Sequence, residues 1–215
     1  MNIRYVTREA MRVNLAVLGW LLMLVGGLLY FNKYETTPGS TRPSSDRWPT
    51  NGSVAFSPGK VNLVVFAHPR CPCTRASLAE LKSLLKDCPG TVSTHILFWV
   101  PPNASSAWTT SALWKQAGAI ADVHLVADKG GRQADCFGAT TSGHLMIFAP
   151  DGTRIYSGGL TNGRGRLGND SGLAAIRTLI IQQQSLPTET AVYGCPLFNS
   201  PSSSENGTAL CQKPL

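Results

Sequence analysis

The chain is predicted to fold as an α/β protein, a mixed sheet flanked by helices, preceded by one N-terminal transmembrane helix. Three observations predict it. Residues 13–31 form a single apolar block. From residue 61 onward, short apolar runs alternate with amphipathic stretches at helical spacing. Two later apolar runs flank Pro150-Asp151-Gly152, turn chemistry that makes an antiparallel hairpin and therefore a mixed sheet.

The apolar block reads VNLAVLGWLLMLVGGLLYF, with Asn14 its one strongly polar side chain. A helix rises about 1.5 Å per residue, so a block of this length crosses a hydrocarbon core of about 30 Å. A cleaved signal peptide would need a shorter run and small residues at a cleavage site. Here Tyr30-Phe31-Asn32-Lys33-Tyr34 follows, which favours an uncleaved anchor. Arg4, Arg8 and Arg12 precede the block, so the N-terminus is expected in the cytoplasm and the remainder outside. Contact with membrane lipid runs through residues 13–31. The net charge is +7 in 215 residues, but the other basic residues are scattered and form no run. That excludes nucleic acid as an expected partner, because a phosphate-binding surface needs clustered Lys and Arg.

The expected organisation is a cytoplasmic N-terminus at 1–12, the anchor at 13–31, a flexible linker at 32–60, a folded domain at 61–184 and an irregular tail at 185–215. The linker is rich in Pro, Ser, Thr and Gly; Val54-Ala55-Phe56 within it has the character of an edge strand. Residues 61–67 (VNLVVFA) read as a strand buried on both faces. Residues 73–86 place Ala76, Leu78, Leu81, Leu84 and Leu85 on one helical face, and Cys88-Pro89-Gly90 ends that helix. A strand at 92–100, a helix around 108–117 and a strand at 122–127 follow. A short helix at 132–137, the hairpin of 144–148 with 153–157, and a helix at 171–184 complete the order. Residues 200–207 are expected to be disordered.

The distinctive chemistry is Cys71-Pro72-Cys73, set where the first strand's carboxyl end feeds a helix. Backbone amides at a helix start have no internal partners and stabilise an anion, so a thiolate there has a depressed pKa. Arg70 and Arg75 add positive charge. Cys71 is the expected nucleophile and Cys73 the expected resolving thiol. Three alternatives stay open. Both cysteines can form structural bonds elsewhere, since the compartment is oxidising and the chain has six cysteines. Cys71, Cys73, His68 and His144 can gather around a soft metal ion. Cys195, in Gly194-Cys195-Pro196, is a second candidate resolving thiol, with a tail-stapling bond to Cys211 as the competing reading. Cys88 and Cys136 read as structural and as a possible pair. His144, His95 and His124 read as core histidines, and Trp108 and Trp114 as core. Arg164-Gly165-Arg166 reads as a solvated loop, or as part of the site wall.

The strand, then Phe66-Ala67, then cysteines, then a helix resembles the thioredoxin-like superfamily. Residues 145–153 and 155–159 are similar to the terminal hairpin of its extracytoplasmic, membrane-anchored members. More narrowly, residues 68–77, Thr141-Ser142-Gly143, Gly158-Gly159-Leu160-Thr161 with Arg164-Gly165, and Tyr193-Gly194-Cys195-Pro196-Leu197 are similar to the RedB-like group of bacterial thioredoxin-fold proteins. The resemblance spans residues 61–197. It implies a bacterial inner-membrane, single-pass protein with its domain in the periplasm. It implies thiols and disulfides, in proteins or small molecules, as partners, and His68, Pro69, Arg70, Pro72, Ser142 and Gly143 as substrate-contacting residues. Two departures stand out. C-x-x-C is replaced by Cys71-Pro72-Cys73, and Gly143 stands where the facing cis-proline is expected. The loop there normally pairs with substrate backbone.

The expected activity is thiol–disulfide exchange with Cys71 attacking and Cys73 or Cys195 resolving. The competitors are a peroxiredoxin-like peroxide reductase, in which Cys71 becomes a sulfenic acid, and a non-enzymatic copper- or other metal-binding protein. No nucleotide, haem or other cofactor is called for.

Overall fold

The strand of residues Val61–Ala67 (β1) is buried along its whole length, and its side chains alternate between two apolar layers. Leu63, Val65 and Ala67 face one layer, while Val64 and Phe66 face the other. Burial on both faces is the reason the run is continuously apolar rather than alternating. The computed structural model describes residues 3–88, 90–168, 170–182 and 188–198.

Around β1 the sheet has the order β3-β2-β1-β4-β5-β6. The other strands are Val92–Val100 (β2), Val123–Lys129 (β3), His144–Phe148 (β4), Arg154–Gly159 (β5) and the short Thr188–Glu189 (β6). β1, β2 and β3 are parallel, and β4 is antiparallel to both β1 and β5, so the sheet is mixed as expected. The helix α2 (Pro72–Lys86) connects β1 to β2, and α3 (Ala112–Gly118) connects β2 to β3. With α5 (Asp170–Gln182) they cover the first layer, through Leu78, Leu81, Leu84, Leu113, Leu173, Ile176 and Leu179. α4 (Arg132–Phe137) covers the second through Ala134 and Phe137.

Several boundaries differ from expectation. The helix expected over 108–117 is broken into a 3₁₀ turn at Ser106–Trp108 and α3, because Ser111 starts a new helix by accepting from the Trp114 amide at 3.2 Å. Val54-Ala55-Phe56 forms no strand, although Val54 is buried. The tail contributes β6, which pairs with β5. Cys88 is a free thiol, so it does not pair with Cys136, which is disulfide-bonded. Cys195 is also free, so it is not bonded to Cys211. Residues 200–207 and Cys211 lie outside the described residues.

The expected linker divides in two. The N-terminal helix α1 runs over Ile3–Thr36, and its Ala10–Thr36 part is long and apolar enough to cross a membrane. Residues 38–60 carry specific contacts with the sheet. The Trp48 ring lies 5.2 Å from both Phe137 and Phe148 and 5.4 Å from Phe56, centroid to centroid. The buried Arg154 guanidinium pairs with Asp46 and Glu189, each at 2.9 Å, and its Nε donates to the Ser45 carbonyl. Arg42 pairs with Asp135 at 2.9 Å. A Pro- and Ser-rich composition reports little hydrophobic content, but one aromatic ring in a core slot and one buried cation suffice to dock such a segment.

Trp48→Ala is expected to cost roughly 3 kcal/mol in urea unfolding, the low end for an aromatic truncation. It is also expected to make residues 38–60 more susceptible to limited proteolysis than they are in the wild-type protein.

Candidate functional site

The site grows from the end of β1. After Ala67 the chain turns through His68-Pro69-Arg70, and the Cys71 amide donates to the His68 carbonyl at 3.0 Å. Pro72 then opens α2, where a missing N–H costs nothing and the fixed φ is already helical. Cys71 is thus the N-cap of α2 and Cys73 lies in its first turn, as the sequence requires.

The third sulfur arrives from the far end of the chain. Residues 194–197 run antiparallel to 140–142, with Thr141 bridging Pro196. The Ser142 amide donates to the Cys195 carbonyl at 2.8 Å, and the Leu197 amide donates to the Thr140 carbonyl at 2.9 Å. Arg164 donates to the Gly194 carbonyl. The backbones approach so closely that a methyl at Gly194 would collide with the Ser142 carbonyl oxygen. This seating puts the Cys195 Sγ 2.9 Å from the Cys71 Sγ. The Sγ atoms of Cys71, Cys73 and Cys195 all lie within 4.8 Å of one another.

The electrostatics separate the three. The Cys71 pKa is pulled down to about 4. The leading cause is the hydrogen bond from the Cys73 thiol; burial opposes it, and the Cys195 thiol, the Cys195 amide and the Thr74 amide add to it. The helix amide expected to dominate therefore contributes, but a neighbouring thiol does more. Cys73 moves the other way, because donating to Cys71 holds its proton in place. Cys195 is pushed up to about 11, first by burial and then by its bond to Cys71. The cation acting on Cys73 and Cys195 is Arg164. Arg70 instead lies with its guanidinium carbon 4.0 Å over the Trp108 ring.

The other singled-out residues form the walls. The His68 ring stacks on Trp99 at 5.4 Å and meets Trp108 edge-on at 6.1 Å. Its Nδ1 accepts from the Arg70 amide at 3.2 Å, and burial is the first cause of its lowered pKa. Ser142 ties three segments together: its Oγ accepts from the His68 amide and pairs with the Thr74 hydroxyl, both at 2.9 Å. Pro69 is buried under this turn. Gly143 has φ +90° and donates its amide to the Phe66 carbonyl at 2.7 Å. The space a Cβ would take there meets Ser77 Oγ at 2.9 Å and the Tyr193 carbonyl at 3.6 Å. The chain's own tail therefore occupies the approach expected for a substrate backbone.

His144 is not gathered with the cysteines. It is buried in β4, its Nε2 is 2.8 Å from the Ser157 hydroxyl, and desolvation lowers its pKa to about 4. Neither His68 nor His144 joins the three sulfurs as a metal-ligating group among the described residues. His95 and His124 stack across β2 and β3 at 5.2 Å, as residues of the sheet. Trp114 packs against the core as expected, but Trp108 belongs to the site wall. Trp99 and Trp108 carry no sequence signal pointing to the site, whereas Thr74 and Arg164 lie within the segments that carry the family resemblance.

No family model and no curated protein matches the chain. Solved structures do. An uncharacterized conserved protein from Geobacillus kaustophilus is similar with a TM-score of 0.56 and 18% identity, over 77% of this chain and 94% of that one. A hypothetical protein from Sinorhizobium meliloti 1021 is similar with a TM-score of 0.53 and 18% identity, over 75% and 93%. The fold is thioredoxin-like. Within a thioredoxin-like frame, the cysteines sit at the junction of β1 and α2, and Gly143 with no cis peptide bond precedes β4.

Two outcomes are expected. Ultraviolet thiolate absorbance should persist at neutral pH and disappear as pH falls through about 4. Cys73→Ala, by removing the leading donor to the charged form, should move that loss to higher pH. Separately, Gly194→Ala should cost about 1–3 kcal/mol, the usual range for overpacking. It should also slow oxidative closure of the Cys71–Cys195 bond, read by alkylation and mass mapping.

Proposed function

We propose that this chain is a membrane-tethered, extracytoplasmic thiol–disulfide oxidoreductase of the RedB-like kind, held in a bacterial inner membrane by residues 13–31 with its N-terminus in the cytoplasm. The observation that carries this reading is the contact of Cys71 and Cys195 at 2.9 Å between their sulfurs, at the amino end of α2. That separation is one short movement from a disulfide bond. In the forward half-reaction the tail lifts from Cys71. The Cys71 thiolate attacks one sulfur of a partner disulfide and expels the other as a thiolate. Cys195 then attacks the Cys71 side of the mixed disulfide, releasing the second partner thiol and leaving a Cys71–Cys195 bond. Cys73 serves mainly as hydrogen-bond donor to the Cys71 anion, with its own thiol held protonated.

A low Cys71 pKa suits attack on peroxide as well, and the ratio of disulfide reduction to peroxide consumption separates the two activities. A second reading has one observation in its favour. Three sulfurs within 4.8 Å of one another offer an all-thiolate site to a soft ion such as Cu(I). Stoichiometric metal in protein purified without chelator or reductant would favour it.

Reduction of a model disulfide by the purified chain should exceed its peroxide consumption. Cys71→Ser should bring that activity to background. Cys195→Ser should keep the first half-reaction, accumulate a mixed disulfide on Cys71 and lose multiple turnover. Retained turnover in Cys71→Ser would overturn the assignment.

A further inference from the structure

The three sulfurs of the site differ in reach. Cys71 is only 2% exposed and Cys73 9%, whereas Cys195 is half-buried and precedes the exposed Pro196. Cys195 sits on a segment whose carbonyls and amides are held by Ser142, Thr140 and Arg164, and it is the more exposed of the two residues whose sulfurs touch. A disulfide closed between Cys71 and Cys195 would therefore join a buried residue to a more exposed one.

We propose that the oxidised protein takes its electrons at Cys195, so that the donor and the substrate react at different sulfurs. This rests on the oxidoreductase reading above. Access selects Cys195 as the atom attacked. The leaving sulfur is then Cys71, the N-cap residue of α2, where the positive end of the helix favours an anion. A disulfide breaks faster when the departing sulfur is the better-stabilised anion, so access and leaving ability act in the same direction.

The step balances as follows. A thiolate of a dithiol donor bonds to Cys195 Sγ, the Cys71–Cys195 bond breaks, and Cys71 departs as a thiolate with the electron pair. The donor's second thiol loses its proton and attacks the donor sulfur of the mixed disulfide. Cys195 leaves and takes up a proton. The donor dithiol has become a disulfide, and two electrons have returned the protein to its dithiol form. The donor thus meets the outer face of residues 194–196 without lifting the tail, whereas the substrate must reach Cys71 beneath it. A Cys195-bound adduct marks the donor half of the cycle, and a Cys71-bound adduct marks the substrate half.

The test uses full-length oxidised protein in detergent, wild type and Cys73→Ser, the variant blocking migration of an adduct through the third thiol. A brief pulse of glutathione is quenched with acid, free thiols are alkylated, and peptides are mapped by mass. The expected result is glutathione on Cys195 with Cys71 newly alkylated, in about ten-fold excess or more over the reverse pattern. Glutathione on Cys71, or equal labelling of the two, overturns this inference and leaves the oxidoreductase reading standing. Absence of any Cys71–Cys195 bond in the oxidised protein, or of any glutathione adduct, overturns both.

Discussion

The site depends on a backbone pairing between two segments that lie far apart in the chain. Residues 194–197 lie along 140–142 in an antiparallel pairing, and this pairing seats Cys195 against Cys71. The pairing needs Gly194, because the Ser142 carbonyl occupies the place of its side chain. It needs the 140–142 loop held still, which the Ser142 hydroxyl does by linking the loop to His68 and Thr74 at the start of α2. The loop, the helix start and the tail therefore form one hydrogen-bonded unit, and the three sulfurs are its contents.

The sheet supplies the rigidity that this unit lacks. β1 is buried on both faces and paired on both edges, so the turn that leaves it at His68 starts from a fixed point. β4 enters the sheet directly after Gly143, so the loop before it is anchored at both ends. The tail is fastened in turn by Leu197, buried in the second apolar layer with Phe66 and Phe137. Core packing on one face of the sheet thus determines where a reactive sulfur sits at its end.

The parts of this arrangement legible in the sequence are the local ones. The apolar run of β1, the helix that Pro72 opens and the Pro150-Asp151-Gly152 turn each carry their signal within a few residues. Cys71 and Cys73 are placed by that logic alone. Contacts across the chain were less legible. Cys195 is marked by the Tyr193–Leu197 segment as a candidate resolving thiol, but no pattern in the sequence fixes its partner. Trp108 reads as a core residue in sequence, and only the fold sets it beside His68 and Arg70. The docking of residues 38–60 was hidden because composition averages over a segment, whereas docking rests on Trp48 and on a cation, Arg154, that lies a hundred residues away.

The segment just after α1 reaches the same hydrogen-bonded unit. The Gly39 amide donates to the Val192 carbonyl, and the Ser40 carbonyl accepts from the hydroxyls of Thr140 and Thr141. Residues 38–44 are thus a buttress shared by the loop and the tail. A fragment that begins at Pro38 keeps that buttress. A cut a few residues further along removes the support beneath both strands of the pairing, and a truncation meant only to discard α1 would loosen the seat of Cys195 with it.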